Sequence, residues 1–182
     1  MLIPFKGKIL LMNVLPLVKE PNPILHAKAV SVKKVTEEIR QLIDAMIETM
    51  YLSDGVGLAA NQIGSDLNIF VASPDGRKGK EVVLLNAAIL KRHGRAVSPE
   101  GCLSLPGISA DVNRSFKVTV SGLDRAGKRV TLEAEGLLAK IFQHEVDHLE
   151  GHLFVDRVGP WRRKRLLNRY AALSDALRNI HI

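Results

Sequence analysis

The segment His144-Glu145-Val146-Asp147-His148 constrains this chain more than any other. On an α-helix, residues four apart project from one face a turn apart, so both imidazoles come within reach of a single metal ion. Glu145 is set about 100 degrees round the helix from His144, close enough to take a proton from a water at that ion without being a ligand, the position of a general base. Leu137 and Ile141 fall on the same stripe as the histidines, which directs the ligands toward a core rather than toward solvent. An ordinary helix with two histidines is the alternative, but two buried imidazoles with no ligand are hard to satisfy. The fold must therefore seat this helix centrally and bring other groups over it.

A catalytic metal site keeps three protein ligands and one open position, so a third ligand must come from elsewhere. One metalloprotease pattern places a histidine three residues after the glycine that follows the pair; here Gly151 is followed at that place by Phe154. Another uses a downstream carboxylate, and Glu150, Asp156 and Asp175 are all poorly placed for it. Cys102, the only cysteine, is the strongest remaining candidate. Its thiolate suits Zn or Fe(II), and the stretch "SPEGCLSLPG", residues 98–107, reads as a flexible loop in which Gly101 can carry it over the helix. A lone cysteine otherwise reads as a buried packing thiol, and only the incomplete metal site reverses that preference.

The remaining chain offers enough apolar residues, 46% of 182, for one domain spanning residues 1–182 with its own core. No apolar run approaches the ~20 residues needed to span a bilayer, and one cysteine suits a reducing, cytosolic setting. The opening "MLIPFKGKILLMNVLPL" reads poorly as a signal peptide; residues 1–11 are expected to form a loose arm, with Met12 an alternative start. Val35, Ile39, Leu42, Met46 and Met50 predict a first helix over 36–50, followed by a glycine-rich loop, "SDGVGLAANQIG". "LNIFVAS", "EVVLLNAAIL" and the alternating runs around "DRAG" predict strands, and from Leu137 the period changes to that of a helix closed by Gly151. A last helix over 160–180 carries Leu166, Tyr170, Leu173, Leu177 and Ile180 on one face and basic residues on the other. The expected class is α+β: mixed, mostly antiparallel sheets around a central metal-binding helix, flanked by an N-terminal helix and a basic C-terminal helix.

Three segments together resemble one family, the peptide deformylases. "GVGLAANQ" looks like that family's G-x-G-L-A-A-x-Q motif, "EGCLS" like its E-G-C-L-S motif, and "QHEVDHLEG" like its Q-H-E-x-D-H-L-x-G motif, in the same order. The resemblance implies a metallohydrolase that removes the formyl group from N-terminal formylmethionine of nascent polypeptides in a bacterial cytoplasm or an organellar matrix or stroma. It implies Cys102, His144 and His148 as ligands of one divalent ion, Fe(II) first, with Zn(II), Ni(II) or Co(II) as substitutes. It makes Glu145 the catalytic acid and base, and Gln62 (side-chain amide) and Leu103 (backbone N–H) the groups that steady the oxyanion. Gly57 would let substrate backbone approach closely. Val56, Leu137 and Ile141 are the apolar residues that the motifs place nearest the metal, and they are expected to line a pocket for the methionine side chain, with plain core packing the alternative for the last two.

Glu100 and Asp147 flank ligands and could orient them, with Arg114 as a charge partner. His26, His93, His152 and His181 lie outside the motifs and read as surface or packing histidines. The run "RVGPWRRKRLLNR" holds Arg157, Arg162, Arg163, Lys164, Arg165 and Arg169 with no acid among them; such a run is usually a solvated helix face, and docking to the ribosome is its functional alternative. Membrane and DNA partners are not expected. One rival reading of the whole chain, with its formal charge of +7, is a zinc-stabilised basic RNA- or ribosome-binding module, which has no use for Glu145 or Gln62 and needs a fourth ligand; the other is a deformylase-like protein with an altered substrate, which the intact motifs oppose.

Overall fold

A computed structural model describes the backbone of residues 14–179 and side chains as far as residue 176. The expected arm at residues 1–11 lies outside the described residues, as do Ile180, His181 and the side chain of Leu177.

Among the described residues the fold consists of three α-helices and seven strands: α1 (Glu37–Leu52), β1 (Gly57–Ala59), β2 (Ile69–Ala72), β3 (Val82–His93), β4 (Ala96–Gly101), β5 (Ser109–Arg114), β6 (Lys117–Leu123), β7 (Arg129–Glu135), α2 (Gly136–Leu149) and α3 (Pro160–Asn179). The helix signals in the sequence act as expected. Thr36 caps α1 by accepting from the Ile39 N–H at 3.5 Å, and Glu37 and Glu38 occupy the first turn, where acids oppose the helix dipole. Chain reversal after α2 falls at Gly151, whose φ of 79° suits a residue without a Cβ; a Cβ there would also meet the His26 carbonyl oxygen at 2.6 Å.

Five strands pair in the order β1-β2-β3-β6-β7, and β4 pairs only with β5. Every pairing between these strands is antiparallel; the parallel share of the expected mixed sheet reduces, among the described residues, to the isolated bridge Val30–Leu67. The ladder between β3 and β6 breaks its register at Asn86, which adopts φ 53°. Asn86 stabilises that irregularity itself: its side chain accepts from the Val32 N–H at 2.7 Å and donates to the Val32 carbonyl at 2.8 Å.

Two stretches read as loops are more ordered than expected. Residues 57–63 form β1 and then a 3-10 turn, Ala60–Ile63. Ser98–Gly101 belongs to β4, so Cys102 follows directly on a two-stranded ribbon and is not carried by a flexible loop. Pro99 and two glycines obscure the strand in the sequence, yet an edge strand tolerates a proline because its outward N–H needs no partner.

Apolar burial divides into three clusters. α2 packs Ala139, Ile141, Phe142, Val146 and Leu149 onto Phe70, Leu84, Val118 and Val120 of the large sheet. The inner face of α1, with Ile43, Met46 and Met50, covers Leu58, Ile69, Val71 and Leu85. Leu105, Ile108, Val112, Phe154, Val155 and Tyr170 form the third, tying β5 to the middle of α3. No helix among the described residues is long and apolar enough to cross a membrane.

Candidate active site

The three clusters meet at a cavity of about 350 Å³ lined by Val56, Gly57, Gln62, Cys102, Leu103, Leu137, Ile141, His144 and Glu145 among others. His148, the remaining residue singled out in the sequence, is fully buried just behind it. Ligand atoms of Cys102, His144 and His148 lie within 4.8 Å of one another, although Cys102 stands more than 40 positions away in sequence. Cys102 Sγ is 3.2 Å from His148 Nε2, and the two imidazole centroids are 5.0 Å apart.

These residues fit one divalent ion. A thiolate and an imidazole bound at the usual tetrahedral distances stand roughly 3.6 Å apart, close to the separation found here. Burial alone would raise the Cys102 thiol, but the imidazoles of His148 and His144 outweigh it and hold the thiol well below its ordinary range, in the form that binds metal. Among the described residues three donors converge and no fourth joins them, the count of a catalytic rather than a structural site. His152, the one other histidine at helical spacing, is exposed and turned away past Gly151.

Glu145 is 3% exposed, and its Oε2 has no hydrogen-bond partner among the described residues. Burial pushes its pKa up to about 7, against the pull of His144 and His148. Gly57 faces it so closely that a Cβ at position 57 would meet Glu145 Oε1 at 2.3 Å and Ile141 Cγ2 at 2.9 Å. Glycine is thus required here by the carboxylate itself, a reason that the sequence did not reveal.

Gln62 and Leu103 both line the cavity, on separate segments of the chain. The Ala59 N–H donates to Gln62 Oε1 at 2.9 Å, which fixes the amide orientation and leaves Nε2 directed at Cys102 Sγ (3.4 Å) and Ser104 Oγ (3.3 Å). Cys102–Leu105 is a turn closed by the Leu105 N–H to the Cys102 carbonyl at 3.0 Å, and the Ser104 N–H points back to Cys102 Sγ at 3.4 Å. Within such a turn the second residue keeps its N–H free, and Leu103 N–H has no partner among the described residues. Of the expected apolar residues, Ile141 is 3% exposed, whereas Leu137 and Val56 are 49% and 43% exposed at the cavity mouth.

Glu100, Arg114 and Asp147 form a buried charge network behind the ligands. Glu100 accepts from His144 Nδ1 at 3.0 Å and from Arg114 at 2.8 and 2.9 Å; Arg114 Nη1 donates to Asp147 at 2.5 Å. Burial works against the Glu100 charge, but Arg114 and His144 hold its pKa down to about 2. Arg157 donates to the same Asp147 from the other side, and Arg163 to Asp156 at 2.6 Å. Two cations of the run read as a solvated face are therefore structural, because acids ten and seven positions upstream, outside the run, come to meet them. Asn61 was also missed; its Nδ2 donates to the His148 carbonyl at 2.6 Å and ties the "GLAANQ" segment to α2.

A buried helix offering two imidazoles to a thiol, beside a buried carboxylate with an unpartnered oxygen that lines a largely apolar cavity, is the apparatus of a single-metal hydrolase. A family model described as polypeptide deformylase matches residues 14–164, and the chain belongs to that family. It is 49% identical to a peptide deformylase of Symbiobacterium thermophilum over 80% of this chain and 67% of the relative. The crystal structure of a peptide deformylase from Legionella pneumophila superposes with a TM-score of 0.86 at 39% identity, covering 90% of this chain and 97% of that one. A peptide deformylase from Synechococcus elongatus in complex with actinonin gives 0.82 at 38% identity over 86% and 88%. The activity is accordingly hydrolysis of the N-formyl group of formylmethionyl nascent peptides with a divalent metal, and the α+β fold is that of the family.

Proposed function

We propose that Cys102, His144 and His148 hold the ion, that Glu145 moves the proton, and that Gln62 and Leu103 receive the charge on the formyl oxygen. The chain works as one catalytic domain. The observation that carries the reading is the convergence of a thiol and two imidazoles beside a buried carboxylate whose Oε2 is unpartnered. When bound, the ion supplies Lewis acidity, polarising the formyl carbonyl and acidifying the attacking water. Glu145 takes the proton of that water as its oxygen joins the formyl carbon. Gln62 Nε2 and the Leu103 N–H donate to the oxygen as it gains negative charge, each worth on the order of 3 kcal/mol in such sites. Glu145 then delivers the proton to the amine nitrogen as the C–N bond breaks, releasing formate and a free methionine amine. Val56, Leu137 and Ile141 receive the methionine side chain, while Gly57 keeps the path to Glu145 open.

We take Fe(II) as the native ion because the family resemblance implies it; a thiolate with two imidazoles suits Zn(II) equally, and Ni(II) or Co(II) could also be held. Anaerobically prepared Fe(II) or Ni(II) protein should release formate from a formyl-Met peptide. Glu145→Ala should keep one ion per chain and lose about 10²-fold to 10⁴-fold in kcat, whereas Cys102→Ala should lose the ion; a fully metallated Cys102→Ala enzyme would exclude this ligand set.

The outward face of α3 supports a second reading, docking to the ribosome where formylated chains emerge, in a bacterial cytoplasm or an organelle. Arg162, Lys164, Arg165 and Arg169 are exposed beside Trp161, which is 86% exposed. Neutralising those four should reduce ribosome cosedimentation at low salt while leaving peptide turnover intact; unchanged cosedimentation would dismiss the reading.

A further inference from the structure

The two groups assigned to the formyl oxygen sit on separate pieces of chain, Gln62 in the 3-10 turn after β1 and Leu103 in the turn after β4. A third piece joins them. The Val18 N–H donates to the Gln62 carbonyl at 2.7 Å, the Glu20 N–H to the Ser104 carbonyl at 3.1 Å, and between them Lys19 Nζ to the Leu103 carbonyl at 2.5 Å. One strap of three residues, whose Lys19 and Glu20 open a turn closed by the Asn22 N–H on the Lys19 carbonyl at 3.1 Å, thus bonds to the backbone of both donors. Its near end is anchored as well, because the Leu15 N–H donates to Thr49 Oγ1 at 2.8 Å, and Thr49 is a fully buried residue of α1.

We infer that Val18–Glu20 is a positioning strap that sets the separation of the two oxyanion donors, with Lys19 holding the Leu103 peptide in the orientation that frees its N–H for the substrate. This rests on the assignment of Gln62 and the Leu103 N–H to the formyl oxygen. The turn geometry gives the reason. Leu105 N–H and Ser104 N–H are already committed to the Cys102 carbonyl and Sγ, which fixes the turn at its cysteine end. At the other end the Leu103 and Ser104 carbonyls have, among the described residues, the strap alone as partner, and rotation of the peptide after Leu103 swings the turn that carries the Leu103 N–H. A second alignment falls to the same strap: Ala59 N–H sets the Gln62 side chain, while Val18 N–H sets its backbone. Lys19 is the one member acting through a side chain and so the one open to substitution without altering backbone. Its aliphatic stem and exposed position allow methionine to replace it without creating a buried void.

The Ni(II)-loaded full chain, assayed with a formyl-Met tripeptide, tests this. Lys19→Met should lower kcat by about tenfold, a fraction of what deletion of an oxyanion donor costs, with KM within about twofold of wild type. Metal content should stay at one ion per chain. Lys19→Arg, which can donate to the same carbonyl, should restore most of the loss. Hydrogen exchange at residues 102–105 should quicken in Lys19→Met and return in Lys19→Arg. A kcat within twofold of wild type for Lys19→Met, an effect confined to KM, or an arginine variant as impaired as the methionine one would overturn the inference. Gln62→Ala in parallel separates the two claims: if it leaves kcat intact, the oxyanion assignment itself fails, whereas a damaged Gln62→Ala beside an unaffected Lys19→Met removes only the strap.

Discussion

Adding one methyl group at Gly57 should disable the enzyme far more than it unfolds it. A Cβ there would stand 2.3 Å from Glu145 Oε1, and real Cβ contacts essentially never fall under 3.0 Å, so the carboxylate must retreat by at least 0.7 Å. The retreat has little room, because Ile141 Cγ2 already lies 2.9 Å from the same point and Glu145 is 97% buried against α2's own packing. Overpacking of this size costs about 1–3 kcal/mol of stability, less where the obstructing atom ends a side chain. Displacing a proton-transfer group by ~1 Å costs on the order of 10²-fold in rate. Gly57→Ala should therefore keep its metal and fold, with a thermal midpoint several degrees lower, while kcat on a formyl-Met peptide falls at least about a hundredfold. Inductively coupled plasma analysis, calorimetry and formate release on one preparation read all three. Activity within threefold of wild type would show that Glu145 need not occupy the position described.

Three further outcomes follow from other parts of the molecule. Arg114→Met leaves Glu100 and Asp147 buried without that partner and should cost about 3–5 kcal/mol in urea unfolding; a loss under 1 kcal/mol would mean that the network is solvated. Gln62→Ala should retain metal and reduce kcat by ~10²-fold with little change in KM, and an effect wholly in KM would place the amide in ground-state binding instead. Asp156 is held below the usual carboxylate range: burial opposes its charge, but the Leu153 N–H and Arg163 outweigh it. Its stabilisation is present above the unfolded-state pKa near 4 and fades as pH falls through the folded value. Asp156→Asn should thus be less stable than wild type by about 1–2 kcal/mol at pH 7, the gap closing below pH ~4; a gap that is constant with pH would contradict this.

The two helices of the site region were legible because their signals are local. Thr36 with Glu37 and Glu38 marks a start, Gly151 a stop, and the spacing of His144 and His148 marks the inward face. Cys102 was legible as a ligand by a different route, the incompleteness of a site with only two histidines. β4 was not, since Pro99 and the flanking glycines hide a strand whose pairing runs from Gly101 with Ser109 to Ala96 with Arg114, residues further along the chain. Arg157 and Arg163 were absorbed into a basic run for the same reason: Asp147 and Asp156 lie close to them only in the folded chain. Lys19 carried no signal at all, because its partner is a carbonyl 84 residues away and any residue type supplies one.

The meeting of three apolar clusters at one cavity has a consequence for how the chain tolerates change. Ile141 belongs to the packing of α2 on the large sheet, Cys102 leans on the cluster around Leu105 and Phe154, and Leu103 on the one beneath α1. Each cluster is close-packed, so a gain or loss of one methylene in any of them shifts its own catalytic group against those held by the other two. Sequence drift in these cores should therefore surface as altered turnover before it surfaces as lost stability, which makes the interior, and not the cavity wall alone, the region where neutral substitutions are scarce.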